Sequence, residues 1–115
     1  MEQKRKQPRV RISRPVYVHA SGGDVIRASA FDISLSGIGI LCPQPFVQGD
    51  MLNLRLHIGV TGAIEEAILR GQVRYHYLKD NAYALGVEFV DAAQDTFSKL
   101  GEFVHFHQRL QEFSS

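Results

Sequence analysis

The clearest rhythm in the chain lies at its middle. Leu52, Leu54, Leu56 and Ile58 fall on one side of an extended segment, and Asn53, Arg55 and His57 on the other. Strict alternation of this kind marks a half-buried β-strand. It recurs downstream, where Leu69, Gly71, Val73, Tyr75 and Tyr77 alternate with Arg70, Gln72, Arg74 and His76. After a turn at Asp80-Asn81, Tyr83, Leu85, Val87 and Phe89 stand opposite Gly86 and Glu88. Upstream, Pro15 to Ala20 alternates and is broken by Ser21-Gly22-Gly23-Asp24, a hairpin signal. Residues 25 to 33 read as a second strand with a blurred period. Ile38 to Cys42 is a short apolar strand stopped by Pro43-Gln44-Pro45, and Gln48-Gly49-Asp50 makes a further turn. Six half-buried strands with short connections predict an antiparallel meander. A chain this short hides the edges of such a sheet by curling it into a barrel.

The last quarter changes period. Phe97, Leu100, Phe103, Val104, Phe106, Leu110 and Phe113 follow a helical spacing, and Asp91 with Gln94 three residues on forms a capping-box pattern. At 100° per residue the apolar positions sweep about 200°, twice the arc of roughly 100° that a helix needs to rest on one surface. Either the helix sinks deeply into the barrel mouth, or it also meets a second subunit, giving a homodimer, or a partner protein.

Composition narrows the function classes. The chain has 115 residues, 44% hydrophobic and 22% charged, which fits one folded domain. No stretch approaches the roughly 18 apolar residues of a membrane span, so no membrane insertion is expected. The N-terminus, Met1-Glu2-Gln3-Lys4-Arg5-Lys6, is followed by no apolar signal region. The single cysteine, Cys42, rules out an internal disulfide and a multi-cysteine zinc site, suits a reducing cytoplasm, and most simply fills core. His19, His57, His76, His105 and His107 are scattered and make no ligand pair. Ser34 and Ser36 lie in no nucleophile-elbow context. No catalytic residue, cofactor or metal is expected.

Charge is unevenly spread. Residues 1–14 hold six basic groups against Glu2 alone, a charge of +5, while the remaining 101 residues carry seven basic and eleven acidic groups, −4. A basic arm on an acidic body points to an anionic partner, or to a solvated tail. Two short patterns add to this. Arg5-Lys6-Gln7-Pro8-Arg9 is an RxxxR placed just before the first strand, and Asp32-Ile33-Ser34-Leu35-Ser36-Gly37 is a DxSxxG between the second and third strands. Each alone is unspecific: the first arises in any basic tail, the second in an ordinary hairpin.

Together, in this order ahead of a six-strand pattern and a final helix, they resemble the PilZ domain family over nearly the whole chain. Gly39, Gly71-Gln72-Val73-Arg74 and Gly86-Val87-Glu88-Phe89 are similar to the family as well. The resemblance implies a mainly β fold, a six-stranded antiparallel barrel with a C-terminal helix. It divides the chain into a flexible basic arm at 1–14 and the barrel with its helix at 15–113. It also implies a non-enzymatic receptor for the bacterial second messenger cyclic di-GMP, clamped between arm and barrel. Arg5 and Arg9 would be the arm arginines, and Asp32, Ser34 and Gly37 the barrel wall. Lys4 stands where some family members use a further Arg that favours two stacked ligands, which leaves the ligand count open. Arg74 lies where members often contact the ligand.

The chemistry of these residues suits that ligand. An Arg fork grips a phosphate in bidentate fashion, binds the two acceptors on guanine's Hoogsteen edge, or stacks on a purine. Ionised Asp32 accepts from the donors on guanine's Watson–Crick side, and Ser34 adds a hydroxyl. Gly37 lets backbone approach closely. A ligand-ordered arm would then expose or create a surface for a protein effector. Two other readings compete. One is a protein-interaction scaffold, pilus or secretion related, that ignores nucleotide; the presence of both motifs argues against it. The other is a nucleic-acid binder, disfavoured by the acidic body and by strand aromatics that alternate in step with the core.

Overall fold

The computed structural model describes residues 8–20, 22–60 and 65–114. Its elements are β1 (Val10–Ala20), β2 (Val25–Ile33), β3 (Gly37–Cys42), β4 (Met51–His57), β5 (Glu66–Lys79), β6 (Ala82–Asp91) and the helix α1 (Gln94–Ser114). The six strands close into an antiparallel barrel in the order β1-β2-β3-β6-β5-β4. The expected simple meander is therefore corrected. Two three-strand meanders are joined through β3–β6 and β1–β4, and the connection from β3 to β4 crosses the barrel end. The break at Pro43-Gln44-Pro45 is the physical reason, since proline donates no ladder hydrogen bond and a tight hairpin cannot form there.

The alternation seen in the sequence becomes inside and outside. Leu52, Leu54, Leu56, Leu69, Val73, Leu85 and Val87 are buried, with Val16, Val18, Ile33, Ile38, Ile40 and Cys42 completing the interior. Burial pushes the Cys42 thiol above its ordinary pKa, so it behaves as a small apolar filler. The helix closes one mouth with Leu100, Phe103 and Val104, all buried. The Arg14 guanidinium stands 4.9 Å from the centroid of the Phe103 ring. Gln111 holds the start of β1 through both ends of its amide: its Nε2 donates to the Arg11 carbonyl at 2.9 Å, and its Oε1 accepts the Arg11 N–H at 3.4 Å.

Element boundaries depart from expectation in three places. β1 begins at Val10, not Pro15, so Arg11 and Arg14 belong to the barrel. Asp91 does not cap α1. It ends β6 opposite Arg70, because a bulge between Arg70 and Gly71 carries the β5–β6 pairing that far. Tyr75 and Tyr77 are not interior. β5 loses its pairing with β4 after Gln72, and a second bulge between Val73 and Tyr75 shifts the register, leaving the two rings 47% and 50% exposed. Among the described residues no helix is long and apolar enough to cross a membrane.

Candidate functional site

The DxSxxG segment forms the end of β2, a tight turn and the start of β3. Ser34 is 1% exposed, and its hydroxyl accepts the backbone N–H of Ser36 at 3.1 Å and of Gly37 at 3.2 Å. The Ser34 N–H donates to the Gly37 carbonyl at 2.8 Å, and the Phe89 N–H donates to the Ser36 carbonyl at 2.9 Å, which ties the turn to β6. Expected to offer its hydroxyl outward, Ser34 instead sits beneath the loop and satisfies its backbone. Gly37 has no positive φ. It is required for close approach, since a Cβ there would lie 2.5 Å from the Val87 carbonyl oxygen.

Asp32 faces outward. A bulge between Ala30 and Asp32 admits Phe31 as an extra residue opposite Gly39. Both Phe31 and the Asp32 carboxylate consequently lie over that glycine: a Cβ on Gly39 would stand 2.6 Å from Asp32 Oδ1 and 2.6 Å from the Phe31 ring. Arg9, just before β1, donates from Nη1 to Asp32 Oδ1 at 2.9 Å, with the two side chains 27% and 24% exposed. A pair this accessible to water contributes on the order of 1 kcal/mol or less. It positions the arginine without locking it.

The barrel register extends the site sideways. Arg11 pairs with Asp32, Asp32 with Gly39, Gly39 with Gly86, and Gly86 with Tyr75. Three interstrand steps make this row about 14 Å from Asp32 to Tyr75. Its floor is two glycines. At the far end the β5 bulge sets Arg74 beside Tyr75, whose ring occupies the space a Cβ on Gly86 would need. Tyr75 stacks on Tyr77 at 6.3 Å. Arg74 is exposed, with Nε 3.4 Å from Glu88 Oε1 and Nη1 donating to Gln72 at 3.3 Å.

Of the residues singled out in the sequence, Arg9, Asp32 and Gly37 cluster at one end of this row, Ser34 supports them from below, and Arg74 stands at the other end. Lys4 and Arg5, with most of the arm, lie outside the described residues. Sequence reasoning missed Phe31, the outward face of Gly39 and Gly86, and Tyr75. The two glycines at outward positions were a visible signal, but the bulges that aim the rings over them were not. Among the described residues no group of three or more His, Cys, Asp or Glu could hold a metal ion.

Comparison with known proteins follows the same lines. No curated protein matches the chain at a significant level. Among solved structures it is similar to the Bacillus subtilis inhibitor of motility, MotI, with TM-score 0.81 and 18% identity over 96% of this chain and 52% of that one. It is similar to the PilZ domain of Escherichia coli YcgR, solved with cyclic di-GMP, with TM-score 0.75 and 15% identity over 97% of both chains. Against YcgR in its longer form with cyclic di-GMP, the TM-score is 0.78 at 15% identity, covering 97% of this chain and 49% of that one. The chain thus spans about half the length of MotI and of the longer YcgR. At these identities the likeness speaks for the fold. The sequence profile of the PilZ domain matches residues 3–106, and the chain belongs to the PilZ domain family.

Proposed function

We propose that the chain binds cyclic di-GMP on the outer face of the barrel, along the row from Asp32 to Tyr75, with Arg9 closing over it. PilZ domains are receptors and adaptors for this nucleotide and not enzymes, and PilZ relatives have been solved with it. The observation that carries the reading here is the Arg9–Asp32 ion pair, which joins the two sequence motifs into one site. Arg9 offers a fork for phosphate or the Hoogsteen edge of guanine. Asp32 offers an acceptor for guanine's donors. Gly39 and Gly86, lacking a Cβ, let Phe31, Asp32 and Tyr75 lie close against the sheet, and the two rings offer faces on which a base can stack. Ser34 and Gly37 act by fixing the turn that presents Asp32. Arg5 and Lys4 add charge from the arm.

The receptor would work in the bacterial cytoplasm as a switch for a protein effector. Ligand that draws Arg9 and the arm across the barrel pulls on the start of β1, and Gln111 links that strand to α1. The test is calorimetric titration with cyclic di-GMP, with cyclic di-AMP and GTP as controls. Arg9→Ala should remove a charge-assisted contact of about 1.5–3 kcal/mol, roughly 10- to 100-fold in affinity. Equal affinities for variant and wild type would remove Arg9 from the site, and no binding by the wild type would end the receptor reading.

A further inference from the structure

The helix α1 spans 21 residues, about 31 Å. Its inward stripe, Leu100, Phe103 and Val104, is fully used by the barrel. A second stripe runs along one flank, where Lys99, Glu102, Phe106, Arg109 and Phe113 recur at alternating three- and four-residue steps. That spacing puts the five side chains on one face, with Phe106 and Phe113 as its apolar members and three charges between and before them. The stripe borders a groove of about 620 Å³ between α1 and the end of β4, with Ile58 and Val60 among its walls. Phe113 is 82% exposed and Leu110 46%. One edge of the groove is set by the Lys99–Glu65 ion pair at 3.0 Å.

The charges on this face decide what fits it. Glu102 and Arg109 lie on the same edge of the helix, two turns apart. At about 10.5 Å along the axis they are too distant to meet within one chain. Neither makes a hydrogen bond or close ion pair with another described residue; Glu102 feels Lys99, one turn back, only as a weak Coulombic attraction secondary to the Lys99–Glu65 pair. Two copies of α1 packed antiparallel about a two-fold axis lay each edge against the same edge of the other. With the axis between His105 and Phe106, Glu102 of each copy meets Arg109 of the other. Phe106 sits at the crossing, and Phe113 passes the first turns of the facing helix. A parallel pairing lays each edge against the opposite edge of the other copy and leaves Glu102 and Arg109 without each other.

We propose that this groove is a self-association surface, filled by the same helix of a second copy in antiparallel, two-fold arrangement, with two reciprocal Glu102–Arg109 ion pairs. The surface lies on α1 and is independent of the receptor reading above. The paired stretch, Lys99 to Phe113, is only about 21 Å long, so the interface belongs to the small class below roughly 1,200 Å² and the dimer is weak.

Sedimentation analysis of the 115-residue chain from about 5 to about 500 μM should show a concentration-dependent monomer–dimer equilibrium. Glu102→Arg and Arg109→Glu, each alone, set like charges together and should raise the dissociation constant at least about tenfold. Mixing the two single variants recreates both opposite-charge contacts and should restore association as a heterodimer. Phe113→Asp should abolish it. Unchanged circular dichroism melts confirm that the barrel is intact in every variant, since all three positions are exposed. A wild type that stays monomeric throughout the range overturns the proposal. So does a dimer indifferent to the single reversals, or a mixture no better than its components.

Discussion

Replacing Gly37 with Ala separates what the DxSxxG glycine does for the fold from what it does for a ligand. The added Cβ would lie 2.5 Å from the Val87 carbonyl oxygen, a backbone atom of the neighbouring strand. Carbon and oxygen normally approach no closer than about 3.3 Å, so β3 and β6 must part by roughly 0.8 Å at this point. Overpacking of this kind costs about 1–3 kcal/mol. Loss of glycine's freedom in the unfolded chain returns about 0.4–1 kcal/mol. The net expectation is a loss of about 1–2 kcal/mol, a sizeable part of a domain stability of about 5–15 kcal/mol. For a chain of this length that lowers the melting temperature by about 4–8 °C.

Gly101→Ala is the internal control. It lies within α1, where the new Cβ would be 3.7 Å from Leu35 Cδ2, an ordinary contact. That variant should gain up to about 1 kcal/mol from helix propensity. Urea unfolding followed by circular dichroism, with the slope unchanged in both variants, reads the two opposite shifts directly. If Gly37→Ala proves as stable as the wild type, the close approach of β3 and β6 does not require glycine and the reasoning fails.

Three further outcomes follow from the geometry. Asp32→Ala should weaken binding and erase the preference for cyclic di-GMP over cyclic di-AMP in calorimetry; full retention of that preference would show that Asp32 does not read guanine. Tyr75→Ala should lose about 1–3 kcal/mol of base stacking in the same titration, with Tyr75→Phe close to wild type, whereas an unaffected alanine variant would detach Tyr75 from the site. His107, packed at 4.5 Å against Phe103, has its pKa held below the ordinary 6.5, first by burial and then by the nearby Arg14 guanidinium. The unfolded chain therefore binds this proton more readily, and the stability contributed by neutral His107 is complete above pH 6.5 and drains away below it. Thermal melts between about pH 7 and 5 should fall more steeply for the wild type than for His107→Gln, and parallel profiles would show that His107 is not the source.

The chain itself determined much of this. Period-two alternation, interrupted at Gly22-Gly23, Pro43-Gln44-Pro45, Gln48-Gly49 and Asp80-Asn81, marks six strands, because burial of one face of a strand writes a pattern that survives in the linear order. The change to helical spacing after Asp91 marks α1 for the same reason. Arg9 and Asp32 were legible as a pair of motifs through residue type, since few side chains can grip phosphate or accept from guanine.

What the linear order could not hold is register. The neighbours of β3 and β4 were decided by barrel closure, which places β6 beside β3 and β1 beside β4. A bulge adds one residue to one strand without altering the hydrophobic pattern enough to be seen, yet it turned Tyr75 outward and set Phe31 and Asp32 over Gly39. Burial of Ser34 was decided by the turn's unsatisfied N–H groups, and the end of β6 at Asp91 by its pairing with Arg70. Local pattern chooses the elements because each strand or helix must hide its own apolar face. The site depends on which strand lies beside which, and only the closed barrel fixes that.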